Sequence, residues 1–198
     1  KELHILDSEY TTLPSIYKYS GNDGFNYIPE RSSGIEVLKL PSKVIAVESM
    51  CLNGSVMGTL SFPSGQTVLP SGEYYVSPFT NIEWPENLTA IGMNGLQNLD
   101  MTEIKIPIGV TELKTNWAKG INSNVERVIV PPTVTHHQYG ANFTRKTNVL
   151  APVHLYDNHD SYLGYAQSSK VKPTIDWYDC GCSTCDKNTG YVTVANPY

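Results

Sequence analysis

Six of the chain's prolines close the same short pattern, apolar–any–apolar–Pro. The segments are Leu38-Lys-Leu-Pro41, Leu60-Ser-Phe-Pro63, Ile82-Glu-Trp-Pro85, Ile104-Lys-Ile-Pro107, Val128-Ile-Val-Pro131 and Val149-Leu-Ala-Pro152. Successive prolines stand 22, 22, 22, 24 and 21 residues apart, and the other seven prolines of the chain fail the pattern. A filter blind to position has returned a near-constant period, which is the signature of a repeat architecture.

The template continues past each proline. Three residues on lie Val44, Gln66, Leu88, Val110, Val134 and Leu155; six on lie Val47, Leu69, Ile91, Leu113, His137 and Asn158. Residues at −3 and −1 from the proline share one face of a strand. Proline has no N–H to continue a ladder, so it marks a corner. The apolar residues at +3 and +6 then carry the chain back across a core. One unit cannot bury its own apolar face, but stacked units can, pairing strand on strand at about 4.8 Å. Six units give a rod roughly 25–30 Å long, whose exposed sheet edges need caps. A β-sandwich also has evenly spaced strands, but its strands need not share one residue template.

The units read I-x-I-P-x-x-V-x-x-I, and this resembles the BspA-like leucine-rich repeat. The matching segments are Leu38-Lys-Leu-Pro-Ser-Lys-Val-Ile-Ala-Val47, Ile82-Glu-Trp-Pro-Glu-Asn-Leu-Thr-Ala-Ile91 and Ile104-Lys-Ile-Pro-Ile-Gly-Val-Thr-Glu-Leu113, with Ile91-Gly92 matching a further family feature. Leu155-Tyr156 and Tyr162-Leu-Gly-Tyr165-Ala166 are similar to the family's closing segment, with Asp157-Asn158 in place of its Val-Pro. The resemblance covers about residues 35–166. It implies a mainly β fold: a right-handed leucine-rich-repeat solenoid of about six 21–24-residue units, with N- and C-terminal caps and little helix. It also implies roles in adhesion or host interaction. The Phe and Cys common in the second half of family units are mostly missing, so packing there must differ.

The flanks lack the template. Residues 1–34 carry aromatics and the turn signal Asp23-Gly24 and read as an N-terminal cap. Residues 167–198 hold a cysteine cluster and the strand-like Tyr191-Val-Thr-Val-Ala195, and read as a C-terminal cap pinned by Cys180–Cys185. Asn116-Trp-Ala-Lys119 is a candidate single helical or 3-10 turn on the convex side.

Four cysteines occur, Cys51 alone and Cys180, Cys182 and Cys185 as C-G-C-S-T-C. Outside the cell such a cluster forms disulfides, with Cys182–Cys185 or Cys180–Cys185 the easier closures. The competing reading is a zinc knuckle, which needs a fourth ligand from Cys51, a distant histidine, Asp179 or Asp186. Cys51 follows the apolar spine of its repeat and reads as a packed residue. His136 and His137 are adjacent, so a strand turns them to opposite faces. His154 and His159 flank Asp157 and Asp160, the arrangement of a solvated loop more than of a site. No nucleophile elbow, zincin motif or phosphate-cradling loop appears, and the expectation is a non-enzymatic protein without a cofactor, zinc at the C-terminal cysteines being the exception to test.

A net charge of −5 with only three arginines argues against a nucleic-acid groove. No apolar run reaches the roughly 20 residues of a membrane span. The chain starts at Lys1 and has few charges and many Asn, Ser, Thr, Gly and Tyr, which points to a processed or truncated extracellular chain. Sequons at Asn53, Asn87 and Asn142 are candidate glycosylation sites, and equally turn-forming asparagines. Tyr74, Tyr75, Tyr139, Tyr156, Tyr162 and Tyr165 are candidate partner-binding aromatics, with cap filling as the alternative. The leading expectation is a secreted or surface-displayed solenoid that binds a protein or carbohydrate. The alternative is a self-associating structural subunit of a filament, appendage or virion. A thiol or metal enzyme built on the C-terminal cysteines stands third.

Overall fold

The computed structural model describes residues 2–4, 12–13, 37–39, 46–47, 58–62, 64–69, 79–97, 99–121, 124–137, 147–158, 173–183 and 192–198. Among them the protein is mainly β, a parallel β-solenoid with one 3-10 turn, Val153–Asn158. In chain order the strands are β1 (Glu2–His4), β2 (Thr12–Leu13), β3 (Val37–Lys39), β4 (Ala46–Val47), β5 (Thr59–Ser61), β6 (Val68–Leu69), β7 (Asn81–Glu83) and β8 (Ala90–Ile91). There follow β9 (Glu103–Lys105), β10 (Glu112–Leu113), β11 (Arg127–Ile129), β12 (His136–His137), β13 (Asn148–Pro152), β14 (Thr174–Tyr178) and β15 (Val192–Val194).

Each unit contributes one strand just before its proline and a shorter one about six residues after it. The first kind pairs in parallel as β1-β3-β5-β7 and as β15-β14-β13-β11-β9. The second pairs as β2-β4 and as β12-β10-β8-β6. Register follows the template: Leu60 pairs with Ile82, Ile104 with Val128, and Val128 with Val149, all at −3 from a proline. Between β7 and β9 the coils meet through a Phe79–Leu99 bridge, with the Asp100 amide donating to the Phe79 carbonyl.

The corners are built alike. After the strand, the amides of Leu88, Val110 and Val134 donate to the carbonyls of Pro85, Pro107 and Pro131 at 3.0–3.3 Å. A proline carbonyl can still accept, so losing its N–H ends the strand without wasting the turn. At Pro152 the strand runs through the proline to its last residue, and the 3-10 turn begins at Val153.

Side chains at −3, −1, +3 and +6 converge on one core. It includes Leu60, Phe62, Ile82, Leu88, Ile91, Ile104, Ile106, Val110 and Leu113. Burying each such side chain contributes roughly 1.5–3 kcal/mol, and stacking shares that burial between neighbouring coils. The second half of the unit, where the family's Phe and Cys are missing, is filled by Leu96, Leu99, Trp117, Ala118 and Ile121. Trp117 and Ala118 are fully buried within a run of turns at 115–120, where the Lys119 amide donates to the Asn116 carbonyl at 2.9 Å and closes a single 3-10-type turn that does not extend into a helix. Asn116 (φ 57°) and Gly120 (φ 75°) are left-handed, which stops a right-handed helix from propagating. Asn94, at the same repeat position as Asn116, is left-handed too (φ 58°).

The flanks join the same columns. Leu3 pairs with Leu38 and Leu13 with Val47, so residues 2–4 and 12–13 stand in solenoid register although the proline template leaves them out. At the other end β14 pairs with β13 over five residues, from Asn148↔Thr174 to Pro152↔Tyr178. Ile175 and Trp177 turn inward to the main core, while Tyr178 turns outward.

Candidate binding face

Strand alternation that sends −3 and −1 inward sends −4 and −2 outward. The −4 column reads Val37, Thr59, Asn81, Glu103, Arg127 and Asn148; the −2 column reads Lys39, Ser61, Glu83, Lys105, Ile129 and Leu150. Polar neighbours one coil apart bond along the first column. Asn81 donates to Thr59 Oγ1 at 3.2 Å and Arg127 pairs with Glu103 at 3.3 Å, while Asn148 donates at 2.7 Å to Asp176, which is in register with Leu150 of the neighbouring column. A shallow cavity of about 320 Å³ opens on this face, lined by Thr102, Glu103, Glu126, Arg127 and Asn148. Both partners of the Arg127–Glu103 pair are about half exposed, so their charges remain available to an incoming group.

The −2 column changes character along its length. Glu83 and Lys105 are exposed, whereas Ile129 and Leu150 are buried with Tyr178 in a second cluster beneath Val194 and Tyr198. The C-terminal residues lie across this part of the face. The Tyr198 hydroxyl donates to the Ile106 carbonyl at 2.5 Å, and Lys105 Nζ donates to the Pro197 carbonyl at 2.7 Å. The same ammonium sits 4.5 Å from the centre of the Tyr198 ring, a cation–π contact. The Tyr178 hydroxyl donates to the Val130 carbonyl at 2.6 Å. Burial pushes the phenols of Tyr178 and Tyr198 well above the usual tyrosine range. Tyr198 and Cys180 add to the rise at Tyr178, and Glu103 adds to it at Tyr198.

Of the residues singled out in the sequence, Pro85, Pro107, Pro131 and Pro152 sit at successive corners. Asn87 is exposed in the turn after Pro85 and donates to the Ser64 carbonyl at 3.2 Å. Tyr156 is half-buried and packs against the core, edge-on to Trp177 with ring centres 5.2 Å apart. Pro41, Pro63, Cys51, Cys185, Asn53, Asn142, Tyr74, Tyr75, Tyr139, Tyr162 and Tyr165 lie outside the described residues, as do His159 and Asp160.

Of the cysteine cluster, Cys180 and Cys182 lie among the described residues. Cys185 lies outside the described residues, and the expected Cys180–Cys185 closure lies outside them with it. Cys182 is a disulfide cysteine, its partner outside the described residues. Gly181, left-handed at φ 75°, folds the C-G-C turn so that the Cys180 and Cys182 sulfurs lie 2.6 Å apart. A ring nitrogen of His154 lies within 4.8 Å of both sulfurs.

Three features were not anticipated from the sequence. Two left repeat-position signals: the −2 column turns from polar to apolar at Ile129, and a threonine recurs at +4 (Thr67, Thr89, Thr111, Thr135). Along that threonine column the amides of Thr89, Thr111 and Thr135 donate to the carbonyl of the threonine one coil back at 2.7–3.0 Å. The third, Tyr198 docking on Lys105, spans 93 positions and has no local signal.

Among the described residues no helix is long and apolar enough to cross a membrane. A search of curated proteins returns no match to the chain. The family model described as the BspA type leucine rich repeat region matches residues 9–124 in six copies. Stacked proline-cornered units and this match agree, and the chain belongs to the BspA-type leucine-rich repeat family.

Proposed function

We propose that this chain is an extracellular or surface-displayed adhesion module, and that it docks a protein partner on the open, outward face of its first-column strands. The family is typically a protein-binding scaffold without catalytic activity, and is often surface-associated. The observation that carries the reading is the mixed-charge cavity of Glu103, Glu126, Arg127 and Asn148 on a face held rigid by the ladder beneath it. A pre-ordered surface loses little entropy on docking, and paired opposite charges orient a partner more than they tighten it. A disulfide at Cys182, the exposed sequon at Asn87 and the low charge content suit an oxidising compartment.

The test is binding of the full chain to a panel of purified extracellular-matrix and plasma proteins by interferometry, with surface labelling of intact native cells alongside. At least one partner is expected to bind, and the charge-reversed pair Glu103→Lys with Arg127→Glu is expected to lose tenfold or more in affinity. A chain confined to the cytoplasm, or binding indifferent to the reversal, overturns the reading.

A further inference from the structure

We propose, resting on the docking reading above, that residues 194–198 are an autoinhibitory strap: they fill the apolar half of the docking face, and a partner must displace them to bind at full affinity. The charged and apolar halves stand on the same three strands. Glu103 on β9, Arg127 on β11 and Asn148 on β13 line the cavity. Lys105, Ile129 and Leu150 lie two residues further along those strands, about 6.6 Å away, and form the bed of the strap. Tyr178 completes the bed, and Val194 and Tyr198 pack on it. Glu103 serves both halves. It pairs with Arg127 in the cavity, and its charge adds to burial in raising the Tyr198 phenol pKa.

The strap can leave without disturbing the solenoid. The ladder under it is closed on its own: the Ile106 amide donates to the Ile129 carbonyl at 3.0 Å, and the Val130 amide to the Leu150 carbonyl at 2.9 Å. Among the described residues, the bonds that hold 195–198 each use a side chain. Lys105 Nζ donates to the Pro197 carbonyl at 2.7 Å, and Asn196 Nδ2 to the Asp179 carbonyl at 3.0 Å. The Tyr198 hydroxyl donates to the Ile106 and Ile129 carbonyls at 2.5 and 3.3 Å, and the Tyr198 amide to Asn196 Oδ1 at 2.9 Å. Ala195 and Asn196 are exposed. Contacts of this kind open locally, at far less cost than a strand of the ladder.

The strap also shows what the bed accepts. An aromatic ring packs against the Ile129, Leu150 and Tyr178 cluster, with the Lys105 ammonium 4.5 Å from its centre. The backbone carbonyl just before that ring takes the hydrogen bond of the same ammonium. The partner segment that fits is therefore uncharged over the bed and carries an aromatic residue there, with its charged groups on the Glu103–Arg127 pair. A buried aromatic anchor beside a polar rim is where binding energy concentrates. While the strap is down, the apparent affinity of a partner falls by the fraction of chains that are open.

The test needs no natural partner: a fluorescent, amide-capped peptide of residues 192–198 is titrated with the full chain and binding is read by anisotropy. Wild type is expected to bind it weakly, because its own strap competes at a high effective concentration. Tyr198→Ala loosens the strap and should bind the peptide at least tenfold more tightly. Asn196→Ala removes two strap bonds, touches no bed residue, and should shift binding the same way by about threefold. Lys105→Met added to Tyr198→Ala should abolish the gain. A Tyr198→Ala or Asn196→Ala chain that binds the peptide no better than wild type, or a gain that survives Lys105→Met, overturns the proposal. A matrix or plasma protein that binds wild type and Tyr198→Ala alike, yet is lost on charge reversal of Glu103 and Arg127, also overturns it and leaves the docking face standing. A peptide gain without any protein partner upholds the strap and overturns the docking reading.

Discussion

Two stretches of one outward column behave in opposite ways. At Glu83 and Lys105 the −2 position faces solvent; at Ile129 and Leu150 the same position is 3% and 7% exposed. The backbone is the same in both: a short strand in parallel register, ended by proline. The solenoid itself therefore does not decide whether its outer face is open. At Ile129 and Leu150 apolar side chains and the C-terminal chain that returns over them close it, whereas Ser61 in the same column is buried at 8% without that cover. Free exposure of two large apolar side chains would favour association, and the tail removes it.

The sharpest way to break this comparison is truncation at matched positions. Ile129→Ala should cost about 2–4 kcal/mol, as a core truncation does, although its position is nominally an outer one. Glu83→Ala, two coils earlier in the same column, should stay within about 0.5 kcal/mol. Urea unfolding of both variants reads the difference. Equal and small losses would mean that Val194 and Tyr198 do not cover Ile129 in solution.

The contrast also explains what the sequence could and could not tell. The inward positions repeat six times, so Leu60, Ile82, Ile104, Val128 and Val149 are recognisable as a spine from spacing alone. Periodicity amplifies a weak local signal, and that is why the core was legible. Ile129 and Leu150 are apolar between apolar neighbours, so they read as part of a continuous run with no indication that they face away from the core. Their cover comes from Tyr178 and Tyr198, which are far along the chain and outside the period. Residues 2–4 and 12–13 were missed for a related reason: they keep the strand register but carry no proline corner. The His154–Cys180 proximity needed the pairing of β13 with β14, which sequence alone does not give.

Alkaline pH separates the two stretches by a second route. Burial raises the phenol pKa values of Tyr178 and Tyr198. The folded chain then keeps both protons where the unfolded chain, with ordinary tyrosines near pH 10, releases them. The stabilisation is complete below about pH 10 and is lost as pH climbs from there toward the folded pKa values. Each buried phenol should cost up to about 1.4 kcal/mol of stability per pH unit in that window. Tyr198→Phe keeps the ring over Lys105 but has no proton to lose, so its stability should fall about half as steeply between pH 10 and 11. Parallel slopes for variant and wild type would show that the tail is already released, and the covered stretch would then resemble the open one.

The smallest effect concerns the inward positions that both stretches share. Gln66 occupies the +3 position held elsewhere by Leu88, Val110, Val134 and Leu155, and is 3% exposed. Its Nε2 donates to the Val68 carbonyl at 2.8 Å, but among the described residues no donor reaches its Oε1. Gln66→Leu removes that orphan acceptor and adds apolar contact, at the cost of one local bond to a carbonyl. An unsatisfied buried group costs about 1–3 kcal/mol and a made hydrogen bond contributes about 1, so the exchange should stabilise by about 1 kcal/mol. A shift of the urea midpoint upward with unchanged slope is the expected reading. If the variant is instead less stable, the amide bond to Val68 holds that turn more firmly than packing does. The inward face would then share the outward face's tolerance of polar residues, and the distinction between them would rest on the C-terminal tail alone.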